Sequence, residues 1–207
     1  MVREIDSRRV AIVAAGAILG GLVAIVAPTV VHSSSQVTVE DMIPTLATPR
    51  SADDALPDDV DLSQLGAVDP ATVRSLGNDG GTGFWVGLGE SSKVCLIMTL
   101  SEGGEYAGSA CVGQRDFYDG GVALALSDHT GSTIDEVEAY LLPADVDATS
   151  LQNSTASTSG ESRQSETLLT NRSDDIPDVP VEVSRSGAGD FLFRPFASDL
   201  GVGANVD

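Results

Sequence analysis

Twenty-two consecutive residues, Val10 to Val31 (VAIVAAGAILGGLVAIVAPTVV), carry no charge, and Thr29 is the only one with a polar side chain. No other stretch limits so strongly what the chain can fold into. As a helix, 22 residues rising about 1.5 Å each reach about 33 Å, enough to cross the hydrocarbon core of a bilayer once. Arg3, Arg8 and Arg9 precede the run. Of 11 basic and 31 acidic residues in the chain, the other 8 basic and 29 acidic ones follow it. Arginine on the short side predicts a cytoplasmic N-terminus and an outer C-terminal bulk.

A cleaved signal peptide shares the charged start and the apolar run. Its apolar region is usually shorter, however, and the only small-residue site here is the loose match Val31-His32-Ser33. An uncleaved anchor is therefore the expectation. Ser7-Arg8-Arg9 lacks the residues that should follow a twin-arginine export pair. Gly16 and Gly20 stand four apart, with Ala17 and Gly21 on an adjoining stripe. Two such helices can approach closely, which makes this face a candidate for a homodimer in the membrane.

The net charge of −20, with Lys93 as the single lysine, argues against a nucleic-acid partner, because phosphate binding needs clustered basic side chains. The expected organisation is a cytoplasmic tail at 1–9, a transmembrane helix at 10–31, a stalk at 32–55, a β-rich outer domain at 56–147, a disordered Ser/Thr-rich segment at 148–177, and a hairpin and tail at 178–207. The stalk reading rests on Pro44, Pro49 and the lack of a sustained period. The disordered reading rests on polarity, since Ser, Thr, Asn and Gln make up 16 of the 27 residues from Thr149 to Asp175.

The fold class expected of the outer part is α+β, mainly one antiparallel sheet with one or two short helices. Asp69 as N-cap, Pro70 at the first helical position, a body from Ala71 to Leu76 and the stop Gly77 predict a short helix. Period-2 runs then predict strands at Phe84 to Leu88, Val94 to Leu100, Tyr106 to Val112, Val122 to Leu126 and Ile134 to Leu142. Gln114 to Gly120 is expected to be a helical or looped crossover whose aromatic residues cap the core. Val179 to Val183 and Phe191 to Phe196 read as a C-terminal hairpin, and Pro180 and Pro195 push it toward sheet edges.

Two cysteines in an exported chain predict one disulfide. If Ser101 to Glu105 is a loop and Leu100 faces Tyr106, then Cys95 lies opposite Cys111, within disulfide reach. The same register sets Leu96 against Ala110 and Met98 against Gly108, large against small. A catalytic dithiol would favour C-x-x-C spacing instead.

Recognised catalytic and cofactor motifs are missing from the sequence, and no cofactor is expected. His32 lies beside the apolar run, and His129 sits in the turn-like Asp128-His129-Thr130-Gly131. Glu136 and Glu138, two apart on one strand, are the carboxylates a hydrolase would use, but on a strand this spacing reads first as a solvated face. LPDDVDLSQL at 56–65 is echoed by LPADVDATSL at 142–151. Both contain the D-x-D-x-S/T that opens many calcium loops, which makes Asp59, Asp61, Asp145 and Asp147 weak metal-ligand candidates. An EF-hand would also need Gly at the sixth loop position and Glu at the twelfth, and neither copy has them. The alternative is two acidic turns flanking the domain.

The anchor followed by LPDDVDLSQL, DPATVRSLG, FWVGLG, VCLIMTL, a second cysteine and EAYLLP resembles small, uncharacterised signal-anchored proteins of high-GC Gram-positive bacteria. The resemblance covers about Leu56 to Asp147. It implies an envelope location and supports the cysteine pairing, but it carries no activity with it. The expectation is a membrane-tethered, non-enzymatic binding or accessory module whose partners are the bilayer through residues 10–31 and an envelope or protein component. A carboxylate-dependent hydrolase and a calcium-dependent module are the alternatives.

Overall fold

A computed structural model describes residues 37–100, 106–128, 135–151, 167–171, 176–187 and 189–196. The expected membrane helix, with Gly16 and Gly20, lies outside them, as do His32 and His129. No helix among the described residues is long and apolar enough to cross a membrane.

Among the described residues, nine strands and two short α-helices make up an α+β architecture dominated by antiparallel sheet. The first sheet has the order β1-β2-β3-β4: β1 Arg74–Asp79, β2 Thr82–Leu88, β3 Val94–Thr99 and β4 Ala107–Val112. The second has the order β5-β6-β7: β5 Val122–Asp128, β6 Asp135–Leu141 and β7 Leu168–Thr170. Helix α2, Gln114–Gly120, carries the chain from one sheet to the other, and β8 (Val181–Ser184) pairs with β9 (Asp190–Phe193) as a separate hairpin. The single meander expected from the run of period-2 segments is thus divided at α2, where the crossover was anticipated.

Alternation explains how two sheets share one core while each buries its other face as well. Phe84, Val86, Leu96 and Met98 of the first sheet pack with Leu124, Val137, Ala139 and Leu141 of the second, and Phe117 of α2 closes the same cluster. The intervening residues Trp85, Cys95 and Ile97 face the opposite way, into a second cluster with Leu65, Val68 and Val73. Tyr140, Leu142 and Leu169 face a third, formed with Val183, Phe191 and Phe193 of the hairpin. A strand buried on both sides reads as a continuous apolar run, which accounts for Val94-Cys95-Leu96-Ile97-Met98.

Three expectations are corrected. The helix over Asp69 to Leu76 ends after one turn: the Asp69 carboxylate accepts from Ala71 N–H and its carbonyl accepts from Thr72 N–H, and the chain then extends into β1. Val73 and Leu76 are buried in different clusters, on opposite sides of the first sheet, a demand that overrides a six-residue helical signal. A bulge between Ser75 and Gly77 accommodates Leu76, and Gly77 takes φ 117°, a conformation that favours glycine.

The stalk is the second correction, because residues 37–55 belong to the domain. Helix α1, Val39–Met42, is closed at its start by a Thr38–Asp41 capping box, and Val39, Met42 and Ile43 are buried in the main core. Ala144 N–H donates to the Met42 carbonyl. Four residues are too few for a period to show. The third correction concerns 148–177: Ala148–Leu151 is a 3-10 turn and Leu168–Thr170 is the third strand of the second sheet. Leu168 and Leu169 suffice for this, because β6 supplies the hydrogen-bonding template.

Candidate functional site

The predicted cysteine register is the observed one. Cys95 pairs with Cys111, Leu96 with Ala110 and Met98 with Gly108, and the two sulfurs are bonded with their Cα atoms 4.1 Å apart. Leu100 N–H donates to the Tyr106 carbonyl at 3.0 Å, so that pair and every second one after it exchange ladder bonds. Cys95 and Cys111 fall on the alternate, closer-spaced pairs. Glycines enclose the bridge: a Cβ on Gly66 (φ 82°) would come within 2.6 Å of Cys111 Sγ, and one on Gly89 within 2.8 Å of Cys95 Sγ.

Gly66 directly follows the first of the two echoed segments, and both segments fold alike. In 56–65, Val60 N–H donates to the Pro57 carbonyl, and the Asp61 carboxylate accepts from the N–H and hydroxyl of Ser63. In 142–151, Val146 N–H donates to the Pro143 carbonyl, and Asp147 accepts from the N–H and hydroxyl of Thr149. The apolar positions correspond as well. Leu56, Val60, Leu62 and Leu65 join the cluster behind the first sheet, and Leu142, Val146, Ala148 and Leu151 join the cluster behind the second. Each decapeptide is a proline-initiated turn followed by an Asx turn, and it packs its aliphatic residues over a sheet's outer face.

The four aspartates of the weak metal reading therefore have distinct situations. Asp61 is drawn below the ordinary carboxylate range by the Ser63 hydroxyl, the Ser63 N–H and the Gln64 amide. Asp147 holds its own turn, and Asp59 is exposed. Asp145 is the exception. Both of its oxygens accept from Arg185, at 3.0 Å from Nε and 2.9 Å from Nη2. The Arg185 side chain is 4% exposed, donates from Nη1 to the Tyr118 carbonyl at 2.8 Å, and lies 3.8 Å over the Tyr118 ring. Among the described residues, no group of three or more His, Cys, Asp or Glu side chains is gathered for a metal ion.

Glu136 and Glu138 sit on β6 on the side opposite Val137 and Ala139. Glu136 is exposed. Glu138 Oε2 accepts from the Tyr140 hydroxyl at 2.9 Å, and that hydroxyl accepts from Phe196 N–H at 3.0 Å, so Glu138 ties the hairpin's C-terminal end to the second sheet. Asn171 adds to this edge, accepting from Glu138 N–H and donating to the Glu136 carbonyl.

Sequence reasoning did not find two polar sites. One is Arg185, which read as part of a hairpin connection and whose partner is 40 residues away. The other is Asp54. Burial opposes its ionisation, yet the N–H groups of Ser51 and Ser75, the Ser51 hydroxyl and the nearby Arg74 charge hold its pKa below the ordinary value. Arg74, itself buried, donates to the carbonyls of Thr48, Ala71 and Val73. Its position in what read as a helix body concealed that role. Comparison of the chain with protein-family models, with curated proteins and with solved structures finds no match.

Proposed function

We propose that the chain is a single-pass, membrane-anchored protein whose acidic β-rich domain works outside the cytoplasm as a non-enzymatic binding or accessory module of the cell envelope. The observation that carries this reading is the Cys95–Cys111 bond, because structural disulfides form and persist in oxidising compartments. The apolar run Val10 to Val31, with Arg3, Arg8 and Arg9 on its short side, supports an anchor with the N-terminus inside. Gly16 and Gly20 support a close helix pair in the membrane.

The engagement of the acidic side chains supports a non-enzymatic role. Asp61 and Asp147 hold turns, Asp145 is neutralised by Arg185, and Glu138 is bound by Tyr140. Chemistry at any of them would first have to break a bond that holds the domain together.

The reading is tested by carrying one epitope at each end of the full chain. Protease added to intact cells should remove the C-terminal epitope and spare the N-terminal one, while the chain resists alkaline carbonate extraction. Recovery of the chain in the cytosol with both cysteines reactive toward a thiol reagent would contradict it.

A further inference from the structure

The two decapeptide segments differ in how they are held to their sheets. Among the described residues, every hydrogen bond of 56–68 is made within that segment, so only apolar packing joins it to the first sheet. The second segment is tied to its surroundings by Ala144 N–H to the Met42 carbonyl, Asp147 N–H to the Ser184 carbonyl, Ser186 N–H to the Asp145 carbonyl, and the Asp145–Arg185 pair. The first cap ends against the disulfide. A Cβ on Gly89 would come within 2.8 Å of the Gly66 carbonyl oxygen as well as of Cys95 Sγ, so Gly66 and the turn at 89–93 close over the two sulfurs together. Ala67 (φ 50°), Ser91 (φ 59°) and Ser92 (φ 57°) are the non-glycine residues with positive φ among those described, and all three lie in these two segments. A side chain disfavours that conformation, which persists only where the surroundings enforce it.

We propose that the Cys95–Cys111 bond is a redox latch, whose reduction by a dithiol frees the cap at 56–68 and uncovers the outer face of the first sheet. A thiolate of the dithiol attacks Cys111 Sγ, because Cys111 is half-buried on the sheet's edge strand whereas Cys95 is fully buried, and Cys95 leaves as the thiolate. The second thiol of the reagent then displaces Cys111, so two electrons and two protons pass to the pair and the dithiol becomes a disulfide. Unbonded sulfurs must stand at van der Waals separation. Gly66 lies against Cys111 Sγ and Gly89 against Cys95 Sγ, so the parting sulfurs press on both, and a close-packed interior does not absorb the difference. The strained segment at 66–67 moves, and only apolar contact with Val73, Trp85 and Ile97 opposes that movement. The bonds to Met42 and Ser184 keep the second cap in place.

The test compares the purified full chain when oxidised and after reduction with dithiothreitol. Trp85, the chain's single tryptophan, lies in the cluster beneath the cap and is 7% exposed, so its emission reports the opening. Reduction should shift that emission to the red and speed amide exchange at Val60, Gln64 and Leu65 by about tenfold or more, while Val146 and Asp147 exchange as before. Reoxidation should reverse both changes. A chain with Cys95→Ala and Cys111→Ala has no sulfurs to part, so it should keep the emission and the cap exchange of the oxidised protein. A reduced chain that keeps the emission and exchange of the oxidised one overturns the proposal, as does one in which both caps exchange together because the whole domain unfolds. An alanine pair whose cap is open overturns it too, since the crosslink rather than the crowding would then hold the cap. None of these outcomes depends on the anchor or the compartment.

Discussion

The segments 56–65 and 142–151 fold with the same turn bonds and pack the same four apolar positions against a sheet, yet the surroundings of each are secured differently. The first leads into Gly66, which rests on the Cys95–Cys111 bond, and its Asp59 is exposed. The second has Asp145 at the corresponding position, and this residue neutralises the buried Arg185 that also stacks on Tyr118. A short motif can thus specify a local shape and an apolar footprint while the chain around it decides what holds the cap in place. Behind the first sheet the cap runs into a glycine packed against a covalent bridge between β3 and β4. Behind the second the fixing is ionic and aromatic, and it joins α2, the second decapeptide and the end of β8.

The largest expected effect breaks the symmetry between the equivalent aspartates. Asp145→Ala leaves the Arg185 guanidinium buried without a counter-charge and should cost about 3–5 kcal/mol in denaturant unfolding, whereas Asp59→Ala should stay within about 0.5 kcal/mol. Equal losses at the two positions would mean that the ionic fixing of the second cap is not what stabilises it. Next in size is the covalent side. Replacing Cys95 and Cys111 together by alanine should cost about 3 kcal/mol, from the entropy of a closed loop of about 15 residues. A loss far below that would place the stability of the first cap in Leu65 and Val68 rather than in the bridge beneath it.

A smaller effect belongs to Asp54, which joins the segment before the first cap to β1. Its folded-state pKa is lowered, so its contribution is present above the unfolded value near 3.9 and is lost as pH falls through the lower folded value. Stability should therefore decline below about pH 4, and Asp54→Asn should reduce that decline in acid-titrated melts. The smallest effect expected is that of calcium. With Asp61 and Asp147 closing their own turns and Asp145 on Arg185, the melting temperature should be the same in millimolar calcium as in chelator; an increase that disappears in Asp59→Asn would favour a metal site.

How much of this could be read from sequence depended on the range of the interaction. The cysteine register followed from local arithmetic around one loop, and it placed Leu96 and Met98 correctly against Ala110 and Gly108. The crossover at Gln114 to Gly120 was likewise legible, with Phe117 as its core residue. The echo of the decapeptides was visible, but its meaning was not, because D-x-D-x-S/T opens a calcium loop and an Asx turn alike; only the fate of the leucines and valines separates the two. What escaped was set by long-range partners. Val39 and Ile43 are buried because a core happens to lie beside them, Leu168 to Thr170 is a strand because β6 offers an edge, and Val73 to Leu76 is extended because two different clusters claim its side chains. Arg185 gave no local sign of Asp145.

The central claim is that the two decapeptides are equivalent caps, and exchanging one for the other tests it most directly. Replacing LPDDVDLSQL at 56–65 with LPADVDATSL changes Asp58→Ala, Leu62→Ala, Ser63→Thr and Gln64→Ser and keeps Leu56, Val60, Asp61 and Leu65. Equivalent caps predict a chain that still forms the Cys95–Cys111 bond and unfolds in one transition, less stable by about 1–2 kcal/mol for the truncated, half-buried Leu62. An exchanged chain that fails to fold, or loses far more than that, would contradict the claim.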